Sequence, residues 1–506
     1  MTHSRRTCLH AVFATVLVPV TLLAARFPDR GVPRQRAAAA IPDSLFKRAG
    51  IAKAKTPKAC QDALDSAVSA GYSWVEADSK KRPADARDTA SHSGYAAVAA
   101  HRKALSATCA RKFKMATADS SDLRVLIGLY ASAEMEDQLQ SALERRIAMA
   151  TTTEARAQAL LDAVSRYVSY DTVPGRTARA EPYVARLDAL GDSARKERIQ
   201  AHATVASSLS FYNATDPLAR AHADQALALV RALTPDERAD SVHQGREDYV
   251  AGIQAAADVD AATGDYKTAL AILNEGIATM GDTSRSYNVT QMLAAFRRYA
   301  LVGTPAPAVT AEHWINAPAG TTTSTYAGRV TLLEFTTTWC GWCKKGYPAM
   351  RRLAAKYQSH GYQPMFVSLI EGASMSKSDT VSAELAYDRD HWVKGDSIGF
   401  PIAIYDTKVV VVPPPKKDST SKKDLTAVAS TKTSRDSTAD STAKAPPPRR
   451  ESPTLFKEYL ADGYPTYFFV DRNGIIRDVQ VGHRVDIEQR FSTIIERLLA
   501  EPAAMR

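Results

Sequence analysis

The chain has 506 residues, of which 45% are hydrophobic and 24% are charged. This length exceeds what one hydrophobic core supports, so two or more domains are expected, with the composition of an ordinary soluble globular protein. The net charge is +10, but half of that excess lies in residues 413–450, which hold nine basic and four acidic side chains. Because basic and aromatic residues are not interleaved and no zinc-finger spacing occurs, a nucleic-acid partner is not expected.

The first 40 residues are typical of an export signal. A basic start, MTHSRRTCLH, precedes the apolar run AVFATVLVPVTLLAA (11–25), which is short for a membrane span and contains Pro19. Ala38 and Ala40 fit a small-x-small cleavage site. We therefore predict a signal peptide or an N-terminal membrane anchor over 1–40, and an exported protein that is periplasmic or anchored facing the periplasm. A buried N-terminal helix is the alternative.

Residues 41–301 have the spacing of apolar residues that is typical of amphipathic helices. Leu123, Leu126 and Ile127 fall on one face of a predicted helix. The sequence TPDE at Thr234–Glu237 has the N-cap threonine, first-position proline and closing glutamate of a capping box. The pattern predicts an all-α region.

One helix pair in this region resembles a tetratricopeptide repeat. In AATGDYKTALAILNEGIATMGD (261–282), the turn, aromatic, small, large and small positions of that family hold Gly264, Tyr266, Ala269, Leu273 and Gly276. Other predicted turns are unevenly spaced, roughly forty residues apart. The resemblance implies a degenerate helical-repeat array that presents a surface to a protein partner, and an irregular helical bundle is the alternative.

The pattern changes after Val302 to alternating strands and helices. Strands are predicted over Arg329–Thr336, Gln363–Ile370 and Phe400–Asp406, and a hairpin and a closing helix follow in the last 45 residues or so. This order predicts an α/β domain with a central mixed sheet over 302–506.

A tract within that domain has a different composition. Residues 408–452 are rich in Lys, Ser, Thr, Asp and Pro and hold few large apolar residues beyond Val409–Val412. Such a tract buries too little apolar surface to offset its chain entropy, so we predict a disordered insertion in a domain loop.

The stretch FTTTWCGWCKKGYP (335–348) holds two of the five cysteines. A metal site needs about four ligands, and no second Cys or His pair has matching spacing. Covalent haem attachment needs His directly after the second Cys, where Lys344 lies. A redox role fits better, because a strand delivers Cys340 to a helix N-terminus, whose N–H groups and dipole stabilise a thiolate. Cys343 can then attack a mixed disulfide, so the only redox group predicted is the Cys340–Cys343 disulfide, with no cofactor or metal.

The remaining cysteines also suggest a pair. In an oxidising compartment an even number of cysteines favours disulfides. With Cys8 in the export segment and Cys340 close to Cys343, Cys60 and Cys109 remain. We predict a disulfide that joins two early helices, with two separate buried thiols as the alternative.

With these motifs, the segment 302–481, without its insertion, resembles the thioredoxin superfamily and most closely the exported TlpA/ResA type. The resemblance is carried by GTPAPAV, AGRVTLLEFTTTWCGWCKKGYP, FPIAIYD and YLADGYPTYFFVDRNGII. It implies a thioredoxin-like fold, Cys340 as the attacking thiol, Cys343 as the resolving thiol and Pro465 as a cis-proline opposite the pair. It also implies protein thiols or disulfides as substrates and an upstream electron donor. The substrate-binding candidates are Trp339, Trp342, Tyr464 and Thr466.

Two further positions bear on the chemistry. Glu334 lies six residues before Cys340, where thioredoxin keeps a buried acid, and its apolar neighbours favour a buried proton-relay role over a solvent-facing one. Gly346 departs from the TlpA/ResA pattern, which often has Glu there, so the direction of electron flow stays open.

Two other functions remain open. The helical repeats could be the main activity of an interaction or scaffold protein that uses the thioredoxin fold as an adaptor. A thiol peroxidase is the other, because Thr337-x-x-Cys340 matches half of a peroxiredoxin signature. The histidines of the α/β domain have no ligand or triad spacing, and surface or capping roles are expected for them: His313, His360, His391 and His483.

Overall fold

The computed structural model describes most of the chain outside the predicted export segment. The described residues are 41–47, 50–81, 84–168, 176–212, 215–240, 244–280, 287–371, 380–410 and 449–502. The predicted signal or anchor at 1–40 and the greater part of the predicted insertion, 411–448, lie outside them. Within the described ranges, no helix combines the length and the apolar character that a membrane span requires.

The N-terminal region is helical, as the sequence predicts. Its α-helices are α1 Asp43–Lys47, α2 Pro57–Lys80, α3 Ala84–Lys112, α4 Ser120–Ser132, α5 Glu136–Met149, α6 Thr153–Tyr167, α7 Glu181–Asp188, α8 Arg195–Tyr212, α9 Pro217–Arg231, α10 Pro235–Ala239, α11 Gly245–Thr263, α12 Tyr266–Met280 and α13 Tyr287–Tyr299. Consecutive helices pack in pairs, among them α2 with α3, α8 with α9 and α11 with α12. Thr234 caps α10 with the expected capping box, in which its hydroxyl accepts from the Glu237 N–H.

The hairpin of α11 and α12 depends on two glycines. Gly264 ends α11 with a φ of 90°, a backbone conformation that favours glycine. A Cβ on Gly276 would lie 2.8 Å from atoms of Ile253 and Met292. The missing side chain therefore lets α12 approach both α11 and α13.

A disulfide joins the first two long helices. Cys60 in α2 and Cys109 in α3 are bonded, with a Cα–Cα distance of 5.8 Å, and both side chains are fully buried. The bond closes 49 residues of chain. It fixes α3 against α2 at the start of the helical region.

The C-terminal region contains a mixed six-stranded sheet. Its strands are β1 His313–Ile315, β2 Val330–Phe335, β3 Tyr362–Leu369, β4 Ile402–Tyr405, β7 Thr466–Val470 and β8 Ile476–Val481, in the order β1-β4-β3-β2-β7-β8. The β2–β3 and β3–β4 pairs are parallel, and the β1–β4, β2–β7 and β7–β8 pairs are antiparallel. Its helices are α14 Gly341–Tyr357, α15 Val381–Arg389, a π-helical turn Asp390–Gly395, α16 Thr454–Glu458 and α17 Ile487–Ala500.

The prediction that the whole tract 408–452 is disordered is wrong at its two ends. Lys408–Val410 (β5) pairs antiparallel with Arg449–Glu451 (β6). Val409 and Val410 are β-branched and follow β4 closely, which favours an extended backbone. The insertion therefore leaves and re-enters the domain at one place, and the six-stranded sheet is uninterrupted.

The sheet separates two layers. Helices α14 and α17 cover one face, where Tyr347 and Phe491 are buried. On the other face, Phe335 packs edge-on against Phe456 of α16. The apolar core of the helical region continues into this second face, so the two regions share one core.

The helical region also covers the edge strand β8. The Tyr266 hydroxyl donates to the Val479 carbonyl at 3.1 Å and accepts from the Val479 N–H at 3.0 Å. Beside it, the Gly303 N–H donates to the Ile476 carbonyl, and the Ile476 N–H donates to the Thr304 carbonyl. These bonds occupy backbone groups that an edge strand would otherwise expose.

Candidate functional site

The cysteine pair lies at the first turn of α14. Cys340 is the N-cap residue and is bonded to Cys343, with a Cα–Cα distance of 5.3 Å. The Cys343 N–H donates to the Cys340 sulfur at 3.1 Å. This donor and the positive end of the helix dipole would stabilise a thiolate at Cys340 after reduction. Cys343 is fully buried and Cys340 retains 4% exposure, so a reagent from solvent meets Cys340 first.

Aromatic side chains form the rim of the site. Trp339 is 49% exposed and Trp342 is 46% exposed, which is unusual for such large apolar groups. Tyr464 packs edge-on against Trp339, at 6.0 Å between ring centres. The Tyr464–Pro465 peptide bond is cis, and Pro465 immediately precedes β7, next to the end of β2 that leads to Cys340. Two of the predicted substrate-binding side chains, Trp339 and Tyr464, therefore lie together, and Trp342 is exposed in the first turn of α14.

The fourth candidate, Thr466, does not join them. Its side chain is fully buried, and its hydroxyl donates to the Gly463 carbonyl at 2.7 Å. The structure does not bring this side chain to the exposed rim, because β7 places Thr466 on the same sheet face as the buried Phe468.

Glu334 lies in the interior behind the cysteines. It alternates along β2 with Val330 and Leu332, so it lies on the sheet face that α14 covers. Its side chain is fully buried, and neither carboxylate oxygen has a partner at normal hydrogen-bond geometry among the described residues. Burial raises the pKa of Glu334 well above its usual range, and the Thr336 hydroxyl opposes that rise. The alternative of a solvent-facing Glu334 is wrong.

Three tyrosines share that interior with Glu334. Burial, together with the charge of Glu334, raises the pKa of all three above their usual range: Tyr347, Tyr362 and Tyr467. The Tyr347 hydroxyl bonds to Thr336 and to the indole of Trp392. The hydroxyls of Tyr362 and Tyr467 have no partner in the described part of the chain. Glu334 thus lies in a region with few polar groups to stabilise its charge.

One family model matches part of the C-terminal region. Residues 302–410 match the model of the AhpC/TSA family. The C-terminal domain is thioredoxin-like. No curated protein matches the sequence.

Several solved structures resemble the thioredoxin-like domain. A thiol:disulfide interchange protein from Chlorobium tepidum is 16% identical, covers 39% of this chain and 97% of its own, and has a TM-score of 0.24. The thioredoxin domain of a thiol-disulfide oxidoreductase from Bacteroides vulgatus is 14% identical, with coverages of 38% and 97% and a TM-score of 0.24. StoA from Bacillus subtilis is 17% identical, with coverages of 37% and 97% and a TM-score of 0.22.

The thioredoxin-like domain holds a group of acids that the sequence did not reveal. The Trp339 indole N–H donates to Glu371, whose backbone N–H donates to Glu384. Burial, with a smaller effect of the neighbouring acids, raises the pKa of Glu371 to about 7 and that of Asp388 to about 8. These acids come from the end of β3 and from α15, so no sequence motif links them to the cysteines.

The four histidines of the thioredoxin-like domain differ in position. His313 pairs with Asp406, His391 bonds to the Tyr387 carbonyl and His360 bonds to the Lys356 carbonyl. His483 instead lies half-buried with its ring stacked on Trp342, at 6.2 Å and 29°. His483 follows β8 and comes close to the site only through the fold.

Proposed function

We propose that this protein is an exported thiol–disulfide oxidoreductase that reduces or exchanges disulfides in other proteins. The observation that carries the proposal is the Cys340–Cys343 disulfide at a helix N-terminus, with an exposed aromatic rim outside it and the buried Glu334 behind it. The sequence of residues 1–40 supports export. N-terminal sequencing of the exported protein tests that part, and a full-length product found only in the cytoplasm contradicts it.

In the reducing direction the chemistry has two sulfur exchanges. The Cys340 thiolate attacks one sulfur of the substrate disulfide, a Cys340–substrate bond forms, and the other substrate sulfur leaves as a thiolate that takes a proton from water. Cys343 then loses its proton and attacks the Cys340 sulfur, which releases the second substrate thiolate. Two electrons pass from the dithiol to the substrate, and an upstream electron donor must reduce the Cys340–Cys343 disulfide again.

Glu334 is proposed to accept the proton of Cys343. Cys343 is buried and needs an internal base, because water does not reach it directly. A carboxyl whose pKa is raised by burial approaches the usual pKa of a thiol, and such matching favours proton transfer.

The helical region is proposed to hold a polypeptide segment of the substrate protein. A cavity of about 520 Å³ lies among α6, α8, α11 and α13. Its lining is uncharged and rich in amide and hydroxyl groups, including Gln200, Thr204, Ser207, Gln254 and Asn288. The Ser208 hydroxyl and the Gln254 amide oxygen are buried there without a partner in the described residues. Such groups suit the N–H and C=O groups of an extended peptide.

Helix α8 connects this cavity to the cysteine site. Beyond Ser208 in the same helix, the Ser210 carbonyl accepts from Arg484, and Phe211 packs against Gly482. The Gly482 N–H donates to the Pro465 carbonyl at 2.8 Å. A segment bound in the cavity would therefore belong to a chain that also reaches the aromatic rim.

A trapping experiment tests the proposed function. The Cys343→Ser variant retains the attacking thiol and should accumulate mixed disulfides, which are isolated under non-reducing conditions and identified. The Cys340→Ser variant is the matched control and should trap nothing. Equal trapping by both variants, together with equal reduction of a disulfide-bonded test protein by the wild type and Cys340→Ser, contradicts the enzyme and favours the scaffold alternative.

A thiol peroxidase is the second candidate. The Thr337 hydroxyl is buried without a described partner three residues before Cys340, which is where a peroxidase would use it. Turnover with a hydroperoxide at a higher kcat/KM than with a protein disulfide would favour this candidate over the first.

A further inference from the structure

A polar gap lies beside Gly346, one helical turn after Cys343. A Cβ on Gly346 would lie 3.1 Å from the Tyr467 hydroxyl oxygen and 3.7 Å from His483 Nδ1. These two atoms are buried, and neither has a hydrogen-bond partner in the described parts of the chain. Because most buried polar groups are paired, two unpaired atoms that face the same space beside Gly346 require an explanation.

Glu334 lies at the inner end of this gap. Glu334 and Tyr467 are directly opposite each other in the β2–β7 ladder, so their Cβ atoms are about 5 Å apart on the same sheet face. Neither carboxylate oxygen of Glu334 has a partner at normal hydrogen-bond geometry among the described residues. The three groups that lack partners thus follow one another from the interior outwards: Glu334, Tyr467 and His483.

His483 lies at the outer end, next to solvent. It is half-buried and stacks on Trp342, which is 46% exposed. Burial and the charge of Lys345 lower the pKa of His483, while Asp486 opposes that fall. The charged groups around it are Lys345 on α14, whose ammonium lies 3.9 Å from the Trp342 ring centre, and Arg484, which pairs with Asp486. A neutral His483 with an unpaired Nδ1 can accept a proton from the interior.

We propose that Tyr467 and His483 carry the proton of Glu334 to solvent when Cys343 resolves the mixed disulfide. This inference rests on the proposed function. The Cys343 proton passes to Glu334 as the Cys343 sulfur attacks Cys340 and the substrate thiolate leaves. Glu334 then passes a proton through water in the gap to the Tyr467 hydroxyl oxygen, as that hydroxyl gives its own through water to His483 Nδ1, and His483 releases one from Nε2 to solvent. Two electrons remain with the departing substrate thiolate, and the carboxylate is restored.

The glycine at position 346 is part of this arrangement. Tyr467 and His483 both face the space that a side chain at 346 would occupy, so their two polar atoms lie no more than about 7 Å apart, and water in that space can link them. A methyl group there would press on the Tyr467 hydroxyl and separate it from His483. Tyr467 and His483 therefore act on the resolving step through Glu334.

Single-turnover kinetics separates the two sulfur exchanges. The reduced protein is mixed with a disulfide-bonded peptide between pH 5.5 and 9, and formation of the mixed disulfide and release of the second thiol are timed separately. We expect His483→Asn to slow release about tenfold or more near neutral pH while formation keeps the wild-type rate. Added imidazole should restore release in His483→Asn. Tyr467→Phe and Gly346→Ala should slow release as well, without rescue by imidazole.

The controls keep the test decisive. His360→Asn removes an exposed imidazole that bonds only to its own helix end and should match the wild type in both steps. Release at the wild-type rate in His483→Asn at every pH overturns the inference, and so does an equal slowing of both steps that imidazole does not restore. A wild-type protein that forms no mixed disulfide contradicts the proposed function instead.

Discussion

The two disulfides of this protein lie in opposite surroundings. Cys60, in the first turn of α2, and Cys109, in the last turn of α3, join two long helices, far apart in sequence and fully buried. Cys340 and Cys343 span one turn at the start of α14, beneath two exposed tryptophans. The same covalent bond is therefore placed once where no reagent reaches it and once where a helix N-terminus meets solvent.

The length of chain that each bond closes makes the same distinction. In the chain-entropy model, closing 49 residues contributes roughly 4 kcal/mol to stability, whereas closing a three-residue step contributes less than about 2 kcal/mol. Opening the Cys340–Cys343 bond consequently costs the fold little. A pair that must open in each catalytic cycle is suited to the short connection, and a pair that holds helices together is suited to the long one.

The largest expected effect is on activity, and it should distinguish the two cysteine pairs. Cys340→Ser should lower the rate of protein-disulfide reduction by at least about a thousandfold, because the attacking thiolate is lost. The double variant Cys60→Ser/Cys109→Ser should stay within about twofold of the wild type at a temperature where it is folded. Reduction of a disulfide-bonded test protein measures both. A comparable loss in the double variant would remove the functional distinction between the pairs.

The free energy of unfolding should depend more on the Cys60–Cys109 pair than on the Cys340–Cys343 pair. Cys60→Ser/Cys109→Ser should lower the free energy of unfolding by about 3–4 kcal/mol, because the unfolded chain gains freedom. Chemical denaturation under non-reducing conditions measures this, and Cys340→Ser/Cys343→Ser is the matched control, with an expected change below about 2 kcal/mol. Equal losses in the two double variants would contradict the chain-entropy argument.

Glu334 is expected to affect the chemistry of the Cys340–Cys343 pair. Glu334→Gln keeps the shape of the side chain but removes the base, so the resolving step should slow by about 10–100-fold while attack by Cys340 persists. In this variant the rate of the resolving step should no longer rise with pH as it does in the wild type when Glu334 ionises. Stopped-flow measurement of both steps checks this, and wild-type resolution in Glu334→Gln would exclude the proton-relay role.

Burial of Asp388 in the thioredoxin-like domain should make the stability of the protein depend on pH. Its pKa is raised to about 8 by burial, so the folded state binds more protons than the unfolded state between roughly pH 4 and pH 8. The contribution of this group to stability is complete below about pH 4 and is lost as the pH rises through 8. Asp388→Asn should therefore raise the free energy of unfolding at pH 9 by about 2 kcal/mol relative to the wild type, with little gain at pH 4. Denaturation curves at the two pH values measure the difference, and an equal effect at both would contradict it.

The smallest expected effect concerns the contact between the regions. Tyr266→Phe removes the hydroxyl that satisfies both backbone groups of Val479, at an expected cost of about 1–2 kcal/mol. Hydrogen exchange should show faster exchange at the Val479 amide, and Tyr95→Phe, at an exposed tyrosine of α3, is the control. Unchanged protection at Val479 would show that the backbone bonds of Gly303 and Thr304 alone hold the edge of β8.

Local signals in the sequence were sufficient for much of the fold. The runs around β2, β3 and the β7–β8 hairpin each combine buried residues with clear turn signals, and the structure confirms them within one or two residues. The strand β1 has only three residues, too few to show alternation, and it forms because β4 offers an edge to pair with. The ends of the 408–452 tract were missed because pairing of β5 with β6 joins segments far apart in sequence.

The sequence by itself singled out Cys340, Cys343 and Glu334, because the two cysteines form a C-x-x-C motif and Glu334 lies six residues before it. Tertiary structure decided which groups surround them. Glu371 and Asp388 arrive from β3 and α15, and Tyr467 and His483 arrive from either end of the β7–β8 hairpin. Their meeting depends on the sheet order, which no short stretch of sequence encodes. Burial then shifts the pKa values of Glu334 and Asp388 because surrounding elements exclude water from them.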